Sequence, residues 1–591
     1  MATAPNAPHL ADPDKNPSFT RGVFQGEIRE DLVFPFPEPS TEDREALVQI
    51  LDSFRSWAKD TLDPAKLDHD AKFPDEVRTG MAELGLMGLN IPEAYGGFGA
   101  STLVFSRVFG EIGAHDAALA VYFGAHQSIG IKGIILFGTE AQKQQWLPRC
   151  ASGELIGAFC LTEAGSGSDA QAMRTTAVPS ADGKHYVMNG TKIWISNAGY
   201  AGVFTVFAKV PVMVDGKQKQ RVTAFIVDAH APGISLGKIE EKMGIKASDT
   251  RTVTFANVMV PAENLLGDVG GGFKIALEIL NSGRLGLSAG SARGTRAMMK
   301  HAIEYAKQRE QFGRPIGSFE MIQKKIALAA ADCYAADAGW MLCAGMVDRG
   351  GVDFSLETAA CKIFASELAF RTASEAMQIA GGIGYSKEAP YERALRDSRI
   401  NLIFEGTNEI LRALIALMGL QQPGEELKAV GKAFKDPLNS IGAISSYLTG
   451  RVKRTLTKPE FKQVHELLAD EADMVADNIH GLALAVEKAL IEHGKAIIDR
   501  QMLQERMANA AIDIYLATAV LSRATLAIQK HGVEASQADL DAAHLFISMA
   551  MRRTRRAIRA IERNADERMR NVAQRALDTG DLTVPTPTDV A

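Results

Sequence analysis

Several things are scarce in this chain. It has five cysteines in 591 residues (Cys150, Cys160, Cys333, Cys343 and Cys361), with no CxxC pair and no metal-ligand spacing. Buried, reduced thiols are expected, and neither a disulfide framework nor a metal site. Charge of one sign is also lacking. The formal net charge of −6 gives no reason to expect nucleic acid as a partner. No apolar run reads as long enough to cross a bilayer. No strand–GxGxxG–helix unit occurs, which disfavours a nicotinamide-type Rossmann site. The first residues lack the charged-then-apolar pattern of a secretion signal and are too acidic and Pro-rich for a mitochondrial presequence. A cytoplasmic protein, or one already processed, is the expectation.

The composition that remains, 46% hydrophobic and 23% charged, is that of a globular protein, and 591 residues imply three to five subdomains. Residues 1–40 are rich in Pro and polar groups and read as an extended surface arm. Residues 41–157 read as helical. Ser40-Thr41-Glu42-Asp43 opens a helix with Leu47, Ile50, Leu51 and Phe54 on one face, and Phe73-Pro74-Asp75-Glu76 opens another. Residues 158–270 change period: short β-branched and aromatic runs alternate with turn signals such as Asp182-Gly183 and Asn189-Gly190. An antiparallel, barrel-like β domain is predicted there. Residues 271–420 return to long helices, and 421–591 are helical again, with no Gly or Pro from 495 to 531 or from 533 to 579. The predicted class is α+β, in the order helical, β, helical, helical.

Five stretches carry chemistry. In Ile403-Phe404-Glu405-Gly406-Thr407-Asn408-Glu409 a carboxylate sits among apolar neighbours. Lost hydration raises its pKa and makes it a usable base near neutral pH. Gly406 lets backbone approach a ligand. In Phe159-Cys160-Leu161-Thr162-Glu163-Ala164-Gly165-Ser166-Gly167-Ser168, glycines and hydroxyls suit a ligand rich in acceptors, for instance a flavin; an ordinary polar turn is the alternative. Trp194 and Ser196 share one side of a strand, around Ile195, and fit one face of a planar heterocycle; a core Trp is the alternative. Arg309, at a helix end, either clamps a diphosphate or only caps the helix. The cluster Gln378-Ile379-Ala380-Gly381-Gly382-Ile383-Gly384 either caps a helix or admits a ligand.

In this order and at these separations the stretches resemble the acyl-CoA dehydrogenase family, and most of all its very-long-chain branch. Particularly specific to it are His126-Gln127-Ser128-Ile129-Gly130, Lys242-Met243-Gly244-Ile245-Lys246-Ala247-Ser248 and, within the first stretch, Phe404-Glu405-Gly406-Thr407-Asn408. It covers nearly the whole chain; shorter members stop near residue 420. It implies the family fold, a helical domain, a β domain and a helical bundle, with an extra C-terminal helical domain.

The resemblance implies FAD as cofactor and Glu405 as the base that removes the α-proton of an acyl-CoA. Other branches carry the base on an earlier helix, at a position matching Gly283, which cannot titrate. FAD contacts carried over are Phe159, Leu161, Thr162, Gly167, Ser168, Trp194, Ile195, Ser196, Thr407 and Asn408. Arg309, Gln378, Gly381 and Gly382 would hold the diphosphate of a flavin in a neighbouring subunit. Substrate contacts are Ser168, Arg284 and Gly406, with Ala120 and Gly124, four apart on one helix face, leaving the acyl tunnel deep. Glu320 stands where many relatives have Gln, and no role is carried over to it.

The implied activity is dehydrogenation of long-chain acyl-CoA to trans-2-enoyl-CoA, with electrons passed to an electron-transfer flavoprotein, in a homodimer. Rival readings are an oxygen-using acyl-CoA oxidase and a non-catalytic assembly protein; the retained Glu405 argues against the second. Residues 428–462, basic and amphipathic, read either as a peripheral membrane contact or as a solvated face. The Arg-rich stretch 552–570, interrupted by Glu562, Asp566 and Glu567, is expected to pack within the molecule.

Overall fold

The computed structural model describes residues 16–433 and 457–582. The first helix, α1 (Phe19–Gln25), is capped by Ser18, whose Oγ accepts from the Arg21 N–H. The helical N-terminal region then runs through α2 (Thr41–Thr61), α3 (Asp75–Glu83), α4 (Thr102–His115) and α5 (Ala117–Gly124). Asp116 breaks α4 from α5 by accepting the Leu119 N–H at 2.7 Å, an N-cap that restarts the helix in a new direction. A six-residue π-helix, Ala125–Gly130, follows, then α6 (Lys132–Phe137) and α7 (Glu140–Ala151).

Eight strands come next: β1 (Ile156–Cys160), β2 (Thr176–Pro179), β3 (His185–Ser196), β4 (Ala201–Val214), β5 (Lys217–Asp228), β6 (Ile234–Leu236), β7 (Thr250–Pro261) and β8 (Leu265–Leu266). They form one sheet in the order β6-β7-β3-β2-β4-β5-β8, with β1 beside β4. Most pairs are antiparallel, as the hairpin signals require, but β1 and β2 each run parallel to β4. The sheet is therefore mixed. A chain that enters it from a helix has no hairpin to reverse its first strand, which periodicity cannot report.

Four long helices, α8 (Gly272–Gln308), α9 (Glu320–Arg349), α10 (Ser355–Ala380) and, after the short α11 (Tyr391–Arg399), α12 (Asn408–Ala433), make the bundle that carries Glu405. The C-terminal helices are α13 (Ala469–His493), α14 (Gln501–His531), α15 (Gln537–Glu562) and α16 (Asp566–Thr579). Three helical segments, Ala117–Phe137, Glu320–Arg349 and Gln501–His531, do have the length and hydropathy of a membrane span, contrary to the sequence reading. Between 72% and 83% of each apolar window is buried inside the protein, so packed helices account for their apolar character.

The N-terminal arm is the clearest departure. Phe19, Val23, Phe24 and Val33 are buried, in one core with α10, α12, α13 and α14. A β-carbon at Gly419 would stand 2.5 Å from the Phe24 ring, so α12 is notched to receive it. Buried Glu357 accepts from Ser18 Oγ at 2.9 Å and from the Thr20 N–H at 2.8 Å. Four aromatics in nineteen residues outweigh the local Pro content, because apolar area drives burial.

Of the basic stretch 428–462, residues 434–456 lie outside the described residues; Lys458 pairs with Asp477 at 2.8 Å. In the Arg-rich stretch, Arg553 pairs with Asp513 at 2.8 Å and Asp566 with Arg506, both within the molecule.

Candidate active site

Glu405 lies in the loop between α11 and α12, with φ of 58°, followed by Gly406 with φ of 91°. Two consecutive left-handed residues are costly when one is not glycine. Two buried cations hold them there. Arg284 on α8 donates from Nε to the Glu405 carbonyl at 3.1 Å, and Lys362 on α10 donates from Nζ to the Gly406 carbonyl at 2.8 Å. Lys362 also donates to Asn408 Oδ1 at 2.7 Å, and Asn408 Nδ2 donates to Ser366 Oγ and Glu367 Oε1, each at 3.1 Å. Asn408 is 1% exposed, and its side chain is engaged with Lys362, Ser366 and Glu367 on α10.

The Glu405 side chain faces α8. Its Oε2 is enclosed and has no hydrogen-bond partner, although the residue as a whole is only half-buried. A β-carbon at Gly283 would stand 2.8 Å from that oxygen and 3.0 Å from Ile129 Cγ2. Gly283 and the π-helix thus make the wall against which the carboxylate rests. Burial raises the Glu405 pKa to about 7, against the opposing charges of Arg284 and Lys362. Burial lowers Lys362 to about 7 and Arg284 to about 10.

The wall is itself fixed. His126 in the π-helix accepts the Gly157 N–H at Nδ1, 2.9 Å, so its Nε2 carries the proton and donates to the Met87 carbonyl at 3.0 Å. Burial holds His126 neutral, with its pKa lowered to about 4. Gln127 Oε1 accepts the Asn90 N–H at 2.9 Å. The Gly244-Ile245 turn locks α11 from the other side: Ile245 donates its N–H to Asp397 at 2.5 Å, and Arg396 donates to the Met243 carbonyl at 3.1 Å.

The 159–168 loop lies at the end of β1. Phe159 and Leu161 pack inward, Phe159 edge-on to Phe207. Thr162 is half-buried, and its carbonyl accepts the Ile193 N–H at 2.9 Å. Gly167 and Ser168 are exposed, with open space around Gly165 and Gly167. A buried pair that sequence reasoning missed anchors this loop: Lys192 Nζ lies 2.8 Å from Glu163. Burial pushes the Glu163 pKa up, but hydrogen bonds from Lys192, Thr175 and Arg174 bring it down to about 2.

Trp194 is not a core residue: it is 59% exposed, with φ of 62°. The β3–β7 register shifts between Lys192 and Ile195, so strict alternation fails there. The bulge re-aims the indole, buries Ile195 and leaves Ser196 half-buried. Arg309, Gln378, Gly381 and Gly382 are all exposed, at the end of α8 and the end of α10. Beside them stand Phe312, 94% exposed, and Tyr385, 82% exposed.

The room beside Gly124 on α5 is taken up by a neighbouring ring. A β-carbon at Gly124 would meet the Phe109 ring at 2.6 Å, and those at Gly286 and Gly290 would meet the same ring at 3.0 Å. Phe109 therefore fills the space that Gly124 was expected to leave. Ala120 is buried in the same core, 6% exposed. The sequence pattern shows which positions are small but not which neighbour takes up the room.

Lys362 and Gly283 are the functional positions with the weakest sequence signal. A lysine in the apolar register of α10 (Ala359, Ala360, Lys362, Ile363) was the one available cue.

Comparison with known proteins agrees with this arrangement. Family models match in four blocks: acyl-CoA dehydrogenase N-terminal domain at 44–154, middle domain at 158–258 and C-terminal domain at 270–419, and the ACAD9/ACADV C-terminal domain at 466–582. The mitochondrial very long-chain specific acyl-CoA dehydrogenase of Rattus norvegicus is 40% identical, over 96% of this chain and 89% of its own length. The FAD-complexed acyl-CoA dehydrogenase of Bacillus anthracis is 32% identical, with TM-score 0.78, over 96% of both chains. A chain of the electron transferring flavoprotein structure of Acidaminococcus fermentans is 36% identical, with TM-score 0.60, over 65% of this chain and 98% of its own. With a relative this similar over nearly its full length, and with all three domain models matched in order around Glu405, the chain belongs to the acyl-CoA dehydrogenase family.

Proposed function

We propose that the protein dehydrogenates long-chain acyl-CoA thioesters to trans-2-enoyl-CoA with FAD, that Glu405 is the base, and that electrons leave to an electron-transfer flavoprotein. The carrying observation is a carboxylate whose Oε2 is enclosed and unpartnered and whose pKa is raised to about 7. Such a group accepts a proton near neutral pH, where an exposed glutamate is too weak a base.

The residues present fit a flavin. A mostly exposed indole at Trp194 leaves a flat apolar face, and the Gly165–Gly167 loop has open space beside it. Thr162, Ser168 and Ser196 supply hydroxyls next to these. FAD, when bound, supplies the acceptor for the substrate β-hydride.

The chain's own part is positioning and proton removal. An α-proton beside a thioester is weakly acidic, so the developing enolate needs a donor aimed at the thioester oxygen. The backbone N–H of Glu405, in the turn held by Arg284 and Lys362, is the proposed donor. A bound acyl chain excludes water and strengthens both the donor and the base. Asn408 then acts by holding Lys362 and the loop. Arg309 with the 381–382 loop reaches the flavin of a second copy in a homodimer; the adjacent exposed Phe312 and Tyr385 support that reading.

The test is anaerobic mixing of the yellow holoenzyme with palmitoyl-CoA while following the flavin band. Bleaching is expected in wild type and not in Glu405→Gln. No bleaching with any saturated chain from C12 to C24 would overturn the activity, and equal bleaching in the variant would overturn the base.

A further inference from the structure

A cavity lies away from Glu405, between α4, α8, α9 and α15, with a volume of ≈700 Å³. That size is in the range of small-molecule sites. The apolar part of its wall includes Ala297, Ile303, Ile326 and Ala330. Ala538 and Ala542 close it from α15, in the C-terminal block that follows the three dehydrogenase domains.

The rim is cationic, and its acids are already used. Glu111 is held by Arg55 at 2.7 Å and Arg107 at 2.8 Å. Asp337, behind the rim, is held by Arg296 at 2.6 Å, and Glu304 by Lys307 at 3.1 Å. Arg293 is left over: its Nε is buried with no hydrogen-bond partner. Lys300 stands exposed one to two turns further along α8. A guanidinium beside Arg107 and Arg296, with Glu111 and Asp337 already paired, over a solvent-open wall rich in alanine, is matched by an anionic head with an apolar tail.

The cavity is not the deep end of the catalytic site. Phe109 fills the gap between them against Gly124, Gly286 and Gly290, and a β-carbon at Gly113 would meet the Gly290 backbone at 3.1 Å. Along α8, ten residues separate Gly283 from Arg293, roughly 15 Å. A further ten lead to Ile303, about another 15 Å of wall along which an acyl chain can lie.

We propose that this cavity binds a long-chain fatty carboxylate as a second acyl site, with the head on Arg293 and Lys300 and the chain along Ala297, Ile303, Ile326 and Ala330.

The experiment titrates the holoenzyme with the fluorescent C18 carboxylate cis-parinaric acid, with and without saturating palmitoyl-CoA, in the Glu405→Gln background so that no turnover intervenes. One equivalent per chain is expected to remain bound when palmitoyl-CoA is present. Arg293→Gln should weaken that equivalent at least tenfold, the methyl ester of the probe should bind at least tenfold more weakly than the acid, and Ala330→Trp should abolish binding. If Ala330→Trp does not fold, Ala542→Phe fills the same space from α15. Displacement of all probe by palmitoyl-CoA, or binding unchanged in Arg293→Gln and in the filled variant, would overturn the proposal. Palmitoyl-CoA binding is read separately, as its perturbation of the flavin band; absence of that perturbation counts against the catalytic assignment, while Arg293→Gln and the filled variant judge the carboxylate site alone.

Discussion

Gly283 and Glu405 stand face to face: a β-carbon added to the glycine would lie 2.8 Å from the carboxylate oxygen Oε2. The proposed base and Gly283, the position to which the resemblance assigns the base of other branches, are thus two sides of one space, and a side chain at 283 would displace the Glu405 carboxylate.

Gly283→Ala tests that relation. The atom it meets is the end of a flexible side chain, so the fold should tolerate it, with stability within about 1 kcal/mol. The displaced carboxylate should cost about 10- to 100-fold in the rate of flavin bleaching, as a shift near 1 Å does. Thermal unfolding and anaerobic stopped flow read the two separately. A rate equal to wild type would mean that the carboxylate does not work from this position.

The rate of flavin reduction should depend on the ionisation of Glu405. With its pKa raised to about 7, the base is protonated at pH 5, so the rate should fall about tenfold per unit below that value and level off above it. The sign for stability is opposite. The folded chain holds this proton more tightly than an unfolded one does, so the group's stabilising effect is present below pH 4.5 and is lost as pH rises through 7. A bleaching rate flat from pH 5 to 9 would contradict the assignment.

Lys362→Met removes two hydrogen bonds and leaves the Gly406 carbonyl and Asn408 Oδ1 without this donor. Asn408 Oδ1 keeps Ser366 Oγ at 3.4 Å, but stranding the Gly406 carbonyl costs about 1–3 kcal/mol, which thermal unfolding will show. A purely structural loss would leave the pH profile alone. Here a nearby positive charge is also lost, so the midpoint of the bleaching profile should move upward.

Trp194→Gly separates backbone strain from ligand contact. The residue sits at φ 62°, where a non-glycine residue costs about 1–3 kcal/mol, so the apoprotein should be as stable as wild type or more so. The exposed indole is lost at the same time, so FAD should dissociate more readily. Dialysis followed by flavin absorbance would show it, and unchanged retention would remove Trp194 from the cofactor site.

Much of this was legible along the chain because it is local. Turn pairs and β-branched runs placed the strands, caps such as Ser40 placed helix starts, and Glu405 was marked by apolar neighbours within two residues. The order of motifs placed the chain in its family. What the linear pattern did not contain is which side chains from distant segments meet. The N-terminal arm is core because Phe19 and Phe24 find notched helices hundreds of residues away. The room beside Gly124 is taken by Phe109, a neighbour that the spacing of small residues does not name. Arg284 and Lys362 converge on the Glu405 turn because α8 and α10 pack side by side. Composition and periodicity report how each element divides apolar from polar; the environment that tunes a buried charge is set by packing between elements, and only the tertiary structure decides it.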